Sequence, residues 1–397
     1  LKEAMDMALD KKIKNSPNTV KIGIIGGGQL GKMIILEGKK LGIQFIVLDP
    51  DENCPAASIA DEQILGGYYD SEKIEKLAAC CHVLTYEIEH IHADILMALV
   101  EKGHSIQPAP ATLKMIQNKY RQKTFLLEKG IATTEFEKIT TVVDIENYIR
   151  REGLPAILKS CYGGYDGKGN KVIRTVDEIE KAYQLLGGST NELMIEKYIT
   201  FTHEISVIAA RGAYGEIRLF PIGENIHEEN ILRTTIVPAR VEASVLQKAE
   251  KLALEVMEEL EGTGVFCIEM FVDPEGNVLV NEIAPRVHNS GHYTMEGCNI
   301  SQFQQHLMAI LEYPLAIPYL IKPSLMMNLL GEEKEGRAMI EGLTEVLQYD
   351  DTYVHFYGKE YTKPLRKMGH VTLLGHNPEA LMDKAEKVKK VLKITGY

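Results

Sequence analysis

Several things are missing from this sequence, and each absence closes off a class of protein. No stretch approaches the roughly 18 unbroken apolar residues of a membrane-spanning helix, so no membrane partner is expected. The six cysteines, Cys54, Cys80, Cys81, Cys161, Cys267 and Cys298, form no CxxC pair and no disulfide-like framework. That usage suits a reducing compartment, and cytoplasm is the expectation. There is no surplus of positive charge: 44 Lys and Arg stand against 56 Asp and Glu, a net of −12, which repels a phosphate backbone and argues against nucleic acid as the main partner. Biased tracts and internal repeats are also lacking. Residues Leu1 to Pro17 are mixed in charge and have no apolar h-region, so they do not read as a secretory signal; residues 1–18 read as an N-terminal extension.

What is present is an ordinary soluble composition, 45% apolar and 25% charged, on a chain of 397 residues that exceeds what one core supports. Val20 to Ile25 is an apolar run, Gly26 to Gly28 a turn, and Leu30 to Lys40 a helical pattern; with a strand from Phe45 to Leu48 they form a βαβ unit of a parallel sheet. The alternation of strand and helix continues to Gln107-Pro108. A helical linker is expected over Thr112 to Lys129. Beyond it, strands at Ala156–Ser160, Lys171–Arg174, Leu193–Lys197, Glu204–Ala210 and Ile217–Pro221 are spaced too closely for helical crossovers, which predicts a largely antiparallel sheet. A helix over Ala243–Leu260, a hairpin, a helix over Ser301–Leu311 and a small mixed segment from Leu325 complete the chain.

Two glycine loops stand out. Gly26-Gly27-Gly28-Gln29-Leu30-Gly31 fits GxGxxG between strand and helix, with Asp49 closing the next strand. It fits a dinucleotide site, a cradle for some other phosphate, or a tight turn. The near-match to a P-loop, Gly26-xxxx-Gly31-Lys32, fails because Met33 stands where a magnesium-binding hydroxyl belongs. The second loop, Gly163-Gly164-Tyr165-Asp166-Gly167-Lys168-Gly169, lies between two strands after Lys159. Four glycines in seven positions exceed the need of a hairpin turn and suit a flap whose N–H groups close over a triphosphate, with Lys159 neutralising charge.

The strands around Glu269 and Glu282 flank the turn Pro274-Glu275-Gly276-Asn277. If Asp273 pairs with Val278, Glu269 lies opposite Glu282. Like charges at cross-strand distance destabilise a sheet, and a divalent cation beside Asn281 removes the conflict with the oxygen ligands that magnesium prefers. The loop that follows, Ala284-Pro285-Arg286-Val287-His288-Asn289-Ser290-Gly291-His292-Tyr293, is dense in donors, so Arg286, His288 and Asn289 are candidates to hold a small oxyanion for phosphorylation. Zinc on His288 and His292 lacks a third ligand at typical spacing.

A strand-borne lysine, a glycine flap, Glu196-Lys197-Tyr198-Ile199, Glu204 and a Glu…Asn-Glu hairpin, in that order, resemble the ATP-grasp superfamily. The strings GGGQLG, LDP, TYEIEHI, GGYDGKG, ENIH, NEIAPRVHNSGHYT, SQFQQHL, YGKE and RKMGH, over residues 20 to about 375, resemble the N5-carboxyaminoimidazole ribonucleotide synthetase family within it. The resemblance implies an α/β and α+β architecture: an N-terminal Rossmann-like, pre-ATP-grasp domain (19–111), an ATP-grasp domain (112–320) and a small C-terminal domain (321–397). It implies ATP held by Lys119, Lys159, the flap residues Gly164, Tyr165, Asp166, Gly167, Lys168, Gly169 and Asn170, then Glu196, Lys197, Tyr198, Ile199, Glu204, His227, Asn281 and Glu282. Magnesium falls to Glu269 and Glu282. The ribonucleotide falls to the first glycine loop with Gln29, Leu30 and Glu87, to Tyr165, Asp166 and Lys168 of the flap, and to Lys359 and Arg366. One departure is visible: many members carry Arg-Pro-Gly-Arg-Lys where this chain has Lys363-Pro364-Leu365-Arg366-Lys367, which puts a contact from position 363 in question.

The implied reaction phosphorylates bicarbonate with ATP to give carboxyphosphate, which delivers its carboxyl group to the amine of 5-aminoimidazole ribonucleotide, with Asp166 a candidate for taking the proton. A homodimer is implied as well. The rival readings are another ATP-grasp ligase with a formyl, amino-acid or biotin substrate, an NAD-dependent oxidoreductase built on residues 20–110, and a non-catalytic nucleotide-binding regulator.

Overall fold

The computed structural model describes residues 16–163 and 169–397. The flap residues Gly164, Tyr165, Asp166, Gly167 and Lys168 lie outside the described residues, as does most of the N-terminal extension.

The first unit is a parallel sheet of β1 (Lys21–Ile25), β2 (Gln44–Asp49), β3 (Glu62–Leu65) and β4 (Val83–Tyr86) in the order β3-β2-β1-β4. The βαβ reading of residues 20 to 50 holds: β1 and β2 pair in parallel, with the helix Gln29–Lys39 between them. The helix buries Leu30, Met33, Ile34 and Ile35, so its i, i+3, i+4 spacing becomes a packed face. The ends of the strands present the glycine loop to the rest of the molecule.

The expected helical linker is two helices, Pro110–Ile116 and Lys119–Glu128. The break falls at Asn118, whose side chain accepts the N–H of Arg121 at 2.9 Å and caps the second helix. The cap fixes Lys119 at the first helical position.

The antiparallel expectation holds, but the strands divide between two sheets. The smaller contains β5 (Phe136–Ile139), β6 (Ala156–Ser160), β7 (Asn170–Ile173) and β8 (Leu193–Lys197), ordered β5-β8-β6-β7. The 19 residues from β7 to β8 hold the helix Ile179–Leu185, because β8 passes β7 and pairs with β6. Strand spacing alone reads as too close for a helix there, and the helix Ile179–Leu185 corrects that expectation.

The larger sheet is ordered β14-β13-β9-β11-β12-β15-β19-β17, with β10 (Ile217–Leu219) against β9. Its members are β9 (His203–Arg211), β11 (Gly223–Glu228), β12 (Ile231–Val237), β13 (Gly264–Val272), β14 (Val278–Ala284), β15 (Ser324–Leu330), β17 (Thr352–Phe356) and β19 (Lys367–Leu374). The C-terminal segment thus continues the same sheet, since β15 pairs with β12. A three-stranded sheet of β16 (Gly336–Glu341), β18 (Tyr361–Thr362) and β20 (Lys393–Gly396) closes the end. Among the described residues, no helix is long and apolar enough to cross a membrane.

Candidate active site

The carboxylate hairpin is built by an irregularity. The turn is one residue longer than expected: Val272 pairs with Val278, Phe271 with Leu279 and Met270 with Val280. That register would send Glu282 to the core face with Val280. A bulge at Asn281 shifts the pairing, so Glu269 faces Glu282 after all. The core shows the effect, because Val280 and Ile283, three residues apart, both pack into one cluster with Ile268 and Met270. Glu269 and Glu282 are thereby turned together to the opposite face. The expected pair is right, although the count that led to it was off by one at the turn and was corrected by the bulge.

Lys119 reaches this hairpin, with its Nζ 2.6 Å from Glu282 Oε2. Burial pushes the Glu282 carboxyl up, but the Lys119 ammonium outweighs that and holds it below its ordinary value. Among the described residues no lysine or arginine pairs with Glu269, and His288 Nε2 lies 3.9 Å from it. Burial, offset by His227 and reinforced by the charges of Glu282 and Glu204, raises the Glu269 carboxyl to about 7. A buried carboxylate with unmet charge beside a second one fits a hard divalent cation.

A second cluster lies under the small sheet. Lys159 Nζ sits 2.9 Å from Glu196 Oε2, a diagonal contact on one face, since Ile157 is the residue opposite Glu196. Thr134 Oγ1 donates to the same oxygen at 3.1 Å. Lys123, one helical turn beyond Lys119, donates to Thr133 Oγ1 at 3.0 Å and Thr134 Oγ1 at 2.7 Å, and its Nζ lies 3.7 Å from Glu196 Oε1. Burial lowers Lys123 to about 8 against the pull of Glu196. Burial also pushes Glu196 up, and the two ammoniums outweigh it, leaving the carboxylate below its ordinary value. Lys119, Lys123, Lys159, Glu196, Asn281 and Glu282 line one small pocket. The sequence reading missed Lys123; its i, i+4 spacing from Lys119 was the available signal.

Glu204 and His227 meet in an ion pair between β9 and β11, and hydrogen bonding to Glu204 overcomes burial to raise the imidazole. Lys197 turns away, to Glu135 Oε1 at 3.0 Å; Tyr198 is exposed and Ile199 half-buried. Gly169 and Asn170 stand at the flap's edge, with Asn170 paired to Lys159 in the β6–β7 ladder.

The loop after β14 is tightly braced. Gln302 accepts the His288 N–H at 2.9 Å and donates to the His288 carbonyl at 2.6 Å. Arg286 pairs with Glu89 of the N-terminal unit at 2.9 Å. Burial, with the charge of Arg286, keeps His288 neutral, far below its ordinary value. Both amide atoms of Asn289 are buried and bonded to nothing among the described residues, which leaves a donor and an acceptor for a small polar ligand. A cavity of about 370 Å³ opens alongside, lined by Tyr69, Glu89, His92, Lys119, Tyr162 and Glu282 among others.

The N-terminal glycine loop is not an open phosphate cradle. Glu87, buried, accepts the N–H of Gly31 at 2.7 Å and also that of Gly28, and Asp49 accepts the N–H of Gly27 at 2.7 Å. Asp49 is further held by the Tyr68 hydroxyl at 2.7 Å and the Asp51 N–H at 2.8 Å. The groups a dinucleotide would use are therefore taken. Gln29 is half-buried at the helix start and Leu30 is packed in the core. Lys32, passed over with the P-loop reading, donates to the Tyr357 carbonyl at 2.9 Å, tying this loop to the turn that carries Lys359. Lys359 donates to the Lys367 carbonyl at 2.6 Å and Arg366 to the Tyr361 carbonyl at 2.5 Å.

Two antiparallel sheets that close on buried lysines and a carboxylate hairpin define an ATP-grasp enzyme, an ATP-dependent ligase. Residues 124–303 match the ATP-grasp domain, residues 19–117 the ribonucleotide synthetase preATP-grasp domain, and residues 324–384 the phosphoribosylaminoimidazole carboxylase C-terminal domain. The N5-carboxyaminoimidazole ribonucleotide synthase of Bacillus subtilis is 42% identical over 89% of this chain and 91% of its own length, and that of Staphylococcus epidermidis 40% over 89% and 92%. The solved N5-carboxyaminoimidazole ribonucleotide synthetase from Thermotoga maritima superposes with a TM-score of 0.87 at 43% identity, covering 96% of this chain and 100% of that one. An Aspergillus clavatus N5-carboxyaminoimidazole synthase in complex with ADP and 5-aminoimidazole ribonucleotide gives 0.86 at 32% identity, over 94% and 98%. The chain belongs to the N5-carboxyaminoimidazole ribonucleotide synthase family.

Proposed function

We propose that this enzyme uses ATP and bicarbonate to carboxylate the amine of 5-aminoimidazole ribonucleotide, a step of purine biosynthesis. The observation that carries the reading is the joining of Glu269 and Glu282, through the Asn281 bulge, to a braced loop whose Asn289 amide has no partner among the described residues, in a chain similar to N5-carboxyaminoimidazole ribonucleotide synthases, one of them solved with ADP and 5-aminoimidazole ribonucleotide bound.

ATP lies between the two antiparallel sheets, with Lys119 and Lys159 neutralising its phosphates and Glu196, Glu204 and His227 along its length. Glu269 and Glu282 would hold magnesium, which when bound shields the charge of the polyphosphate. Arg286, His288 and Asn289 hold bicarbonate. The bracing by Gln302 and Glu89 fixes that loop before substrate arrives, so little reorganisation is needed as charge develops. The bicarbonate oxygen attacks the γ-phosphorus, ADP leaves, and carboxyphosphate transfers its carboxyl carbon to the amine, releasing phosphate and the amine proton. Asp166 is the proposed acceptor of that proton. The ribonucleotide sits over Gln29, Leu30 and Glu87, with Lys359 and Arg366 toward its phosphate.

The division into units 19–111, 112–320 and 321–397, a homodimeric assembly and a cytoplasmic location belong to the same proposal; the six cysteines are all free, as a reducing compartment requires. The test is phosphate release from ATP with bicarbonate and the ribonucleotide each added or omitted. Full turnover needs all three. Turnover that ignores the ribonucleotide would assign the chain to a different ligase reaction.

A further inference from the structure

One group on the carboxylate face of β13 has no part in the ligase reading. Cys267 lies two residues before Glu269 and so shares its face. Its side chain is fully buried, with Sγ 3.7 Å from Ser290 Oγ. The ligand atoms of Cys267, Glu269 and His288 all lie within 4.8 Å of one another, and His288 Nε2 is 3.9 Å from Glu269 Oε1.

His288 Nε2 is turned toward the carboxylate, while Nδ1 accepts the Ser290 N–H at 3.3 Å and lies 2.9 Å from Ser290 Oγ, so the neutral ring of the metal-free protein carries its proton on Nε2. Coordination through Nε2 moves that proton to Nδ1, where Ser290 Oγ, itself held by Ser206 Oγ at 3.0 Å, accepts it, and such a bond on the far ring nitrogen is how proteins fix a metal-binding histidine. Tetrahedral bonds of about 2.0–2.3 Å place donor atoms roughly 3.3–3.8 Å apart, so the trio contracts by up to about 1 Å when the ion is bound.

We infer that Cys267, Glu269 and His288 form a site for a thiophilic divalent cation of the zinc class, set against the magnesium carboxylates and sharing Glu269 with them. A sulfur, a nitrogen and an oxygen donor together select zinc over magnesium, which avoids thiols. On binding, the Cys267 S–H proton passes to solvent and the thiolate takes the metal. Water fills the fourth position. Zinc held by Glu269 draws that carboxylate's charge away from magnesium, so zinc at this site competes with magnesium–ATP; this inhibitory consequence rests on the ligase reading, whereas the binding does not.

The probe is Co2+ added to the full-length, ATP-free protein. The wild type is expected to show the near-ultraviolet thiolate-to-cobalt absorption band at one equivalent, removed by zinc, and Cys267→Ser to lose it while keeping its melting temperature and its magnesium-supported turnover. Cys267→Ala serves if the serine variant folds poorly. Absence of the band in the wild type, or an equal band in both Cys267 variants, overturns the site. Zinc that inhibits wild type and Cys267→Ser at the same concentration overturns its competition with magnesium–ATP.

Discussion

Glu87 accepts the backbone N–H of Gly31 at 2.7 Å from beneath the glycine loop, and this turns a dinucleotide-like motif into a closed structural turn. The helix behind the loop receives its negative charge from within the protein and not from a pyrophosphate. Burial raises the Glu87 carboxyl, and the hydrogen bonds from Gly31 and Gly28 work against that rise.

Asp49 plays a matching part, since its three donors are all internal. Asp49→Ala is expected to lower unfolding free energy by about 2–4 kcal/mol while leaving turnover within a few-fold at low temperature. Neither protein should bind NADH by titration calorimetry. NADH binding by the wild type that vanishes in the variant would restore the oxidoreductase reading.

Lys123 is the buried ammonium that holds Thr134 beside Glu196, and so keeps Glu196 aimed at Lys159. Lys123→Met should raise the KM for ATP by about 10- to 100-fold, the weight of a lost charge-assisted bond, and move the ribonucleotide KM by less than about threefold. Parallel changes in both constants would point to a general loosening of the fold.

His306 gives the fold a defined sensitivity to acid. Its Nδ1 accepts the Val265 N–H at 3.1 Å and its Nε2 lies 2.8 Å from Thr85 Oγ1, so the ring is neutral with its proton on Nε2, and a second proton would oppose the Val265 N–H. Burial lowers the ring to about 3 from an ordinary 6.5. The unfolded chain binds a proton below pH 6.5 that the folded chain refuses, so stability is full above 6.5 and falls as pH drops toward 3, by about 1.4 kcal/mol per unit. Urea unfolding at pH 7 and pH 5 should show a smaller loss in His306→Gln, by about 2 kcal/mol. An identical loss in both proteins would assign the acid sensitivity to other groups, such as His292, which burial likewise lowers to about 3.

Arg366 lies far along the chain from the carboxylate hairpin, and the bond from its Nη1 to the Tyr361 carbonyl leaves other donors of the guanidinium for a phosphate. Arg366→Ala should raise the ribonucleotide KM about 10- to 100-fold with the ATP KM changed less than about threefold. An unmoved ribonucleotide KM would remove the C-terminal segment from the substrate phosphate.

What was legible in the sequence followed from local rules. The βαβ unit came from periodicity and the 269–282 pair from strand alternation, although the bulge at Asn281 that makes the pair possible left no local mark. The positions of Gly27, Gly28 and Gly31 were plain, but not that Glu87 and Asp49, roughly 60 and 20 residues onward, would occupy their N–H groups. The division into two sheets was hidden because strand spacing fixes direction and not partner. Lys123, Gln302 and Glu89 act through contacts with residues distant in sequence, and only the first of them stood on a helix face that spacing from Lys119 could have picked out.

The central claim is that ATP phosphorylates bicarbonate, and the most direct measurement follows oxygen. Turnover with 18O-labelled bicarbonate and the ribonucleotide, with the released phosphate analysed by mass, should place one bicarbonate oxygen in each phosphate, because the bridging oxygen of carboxyphosphate leaves with phosphorus when the carboxyl carbon is transferred. Phosphate released at the full rate of turnover without label would mean that ATP is cleaved by water or by the ribonucleotide itself, and would contradict the account.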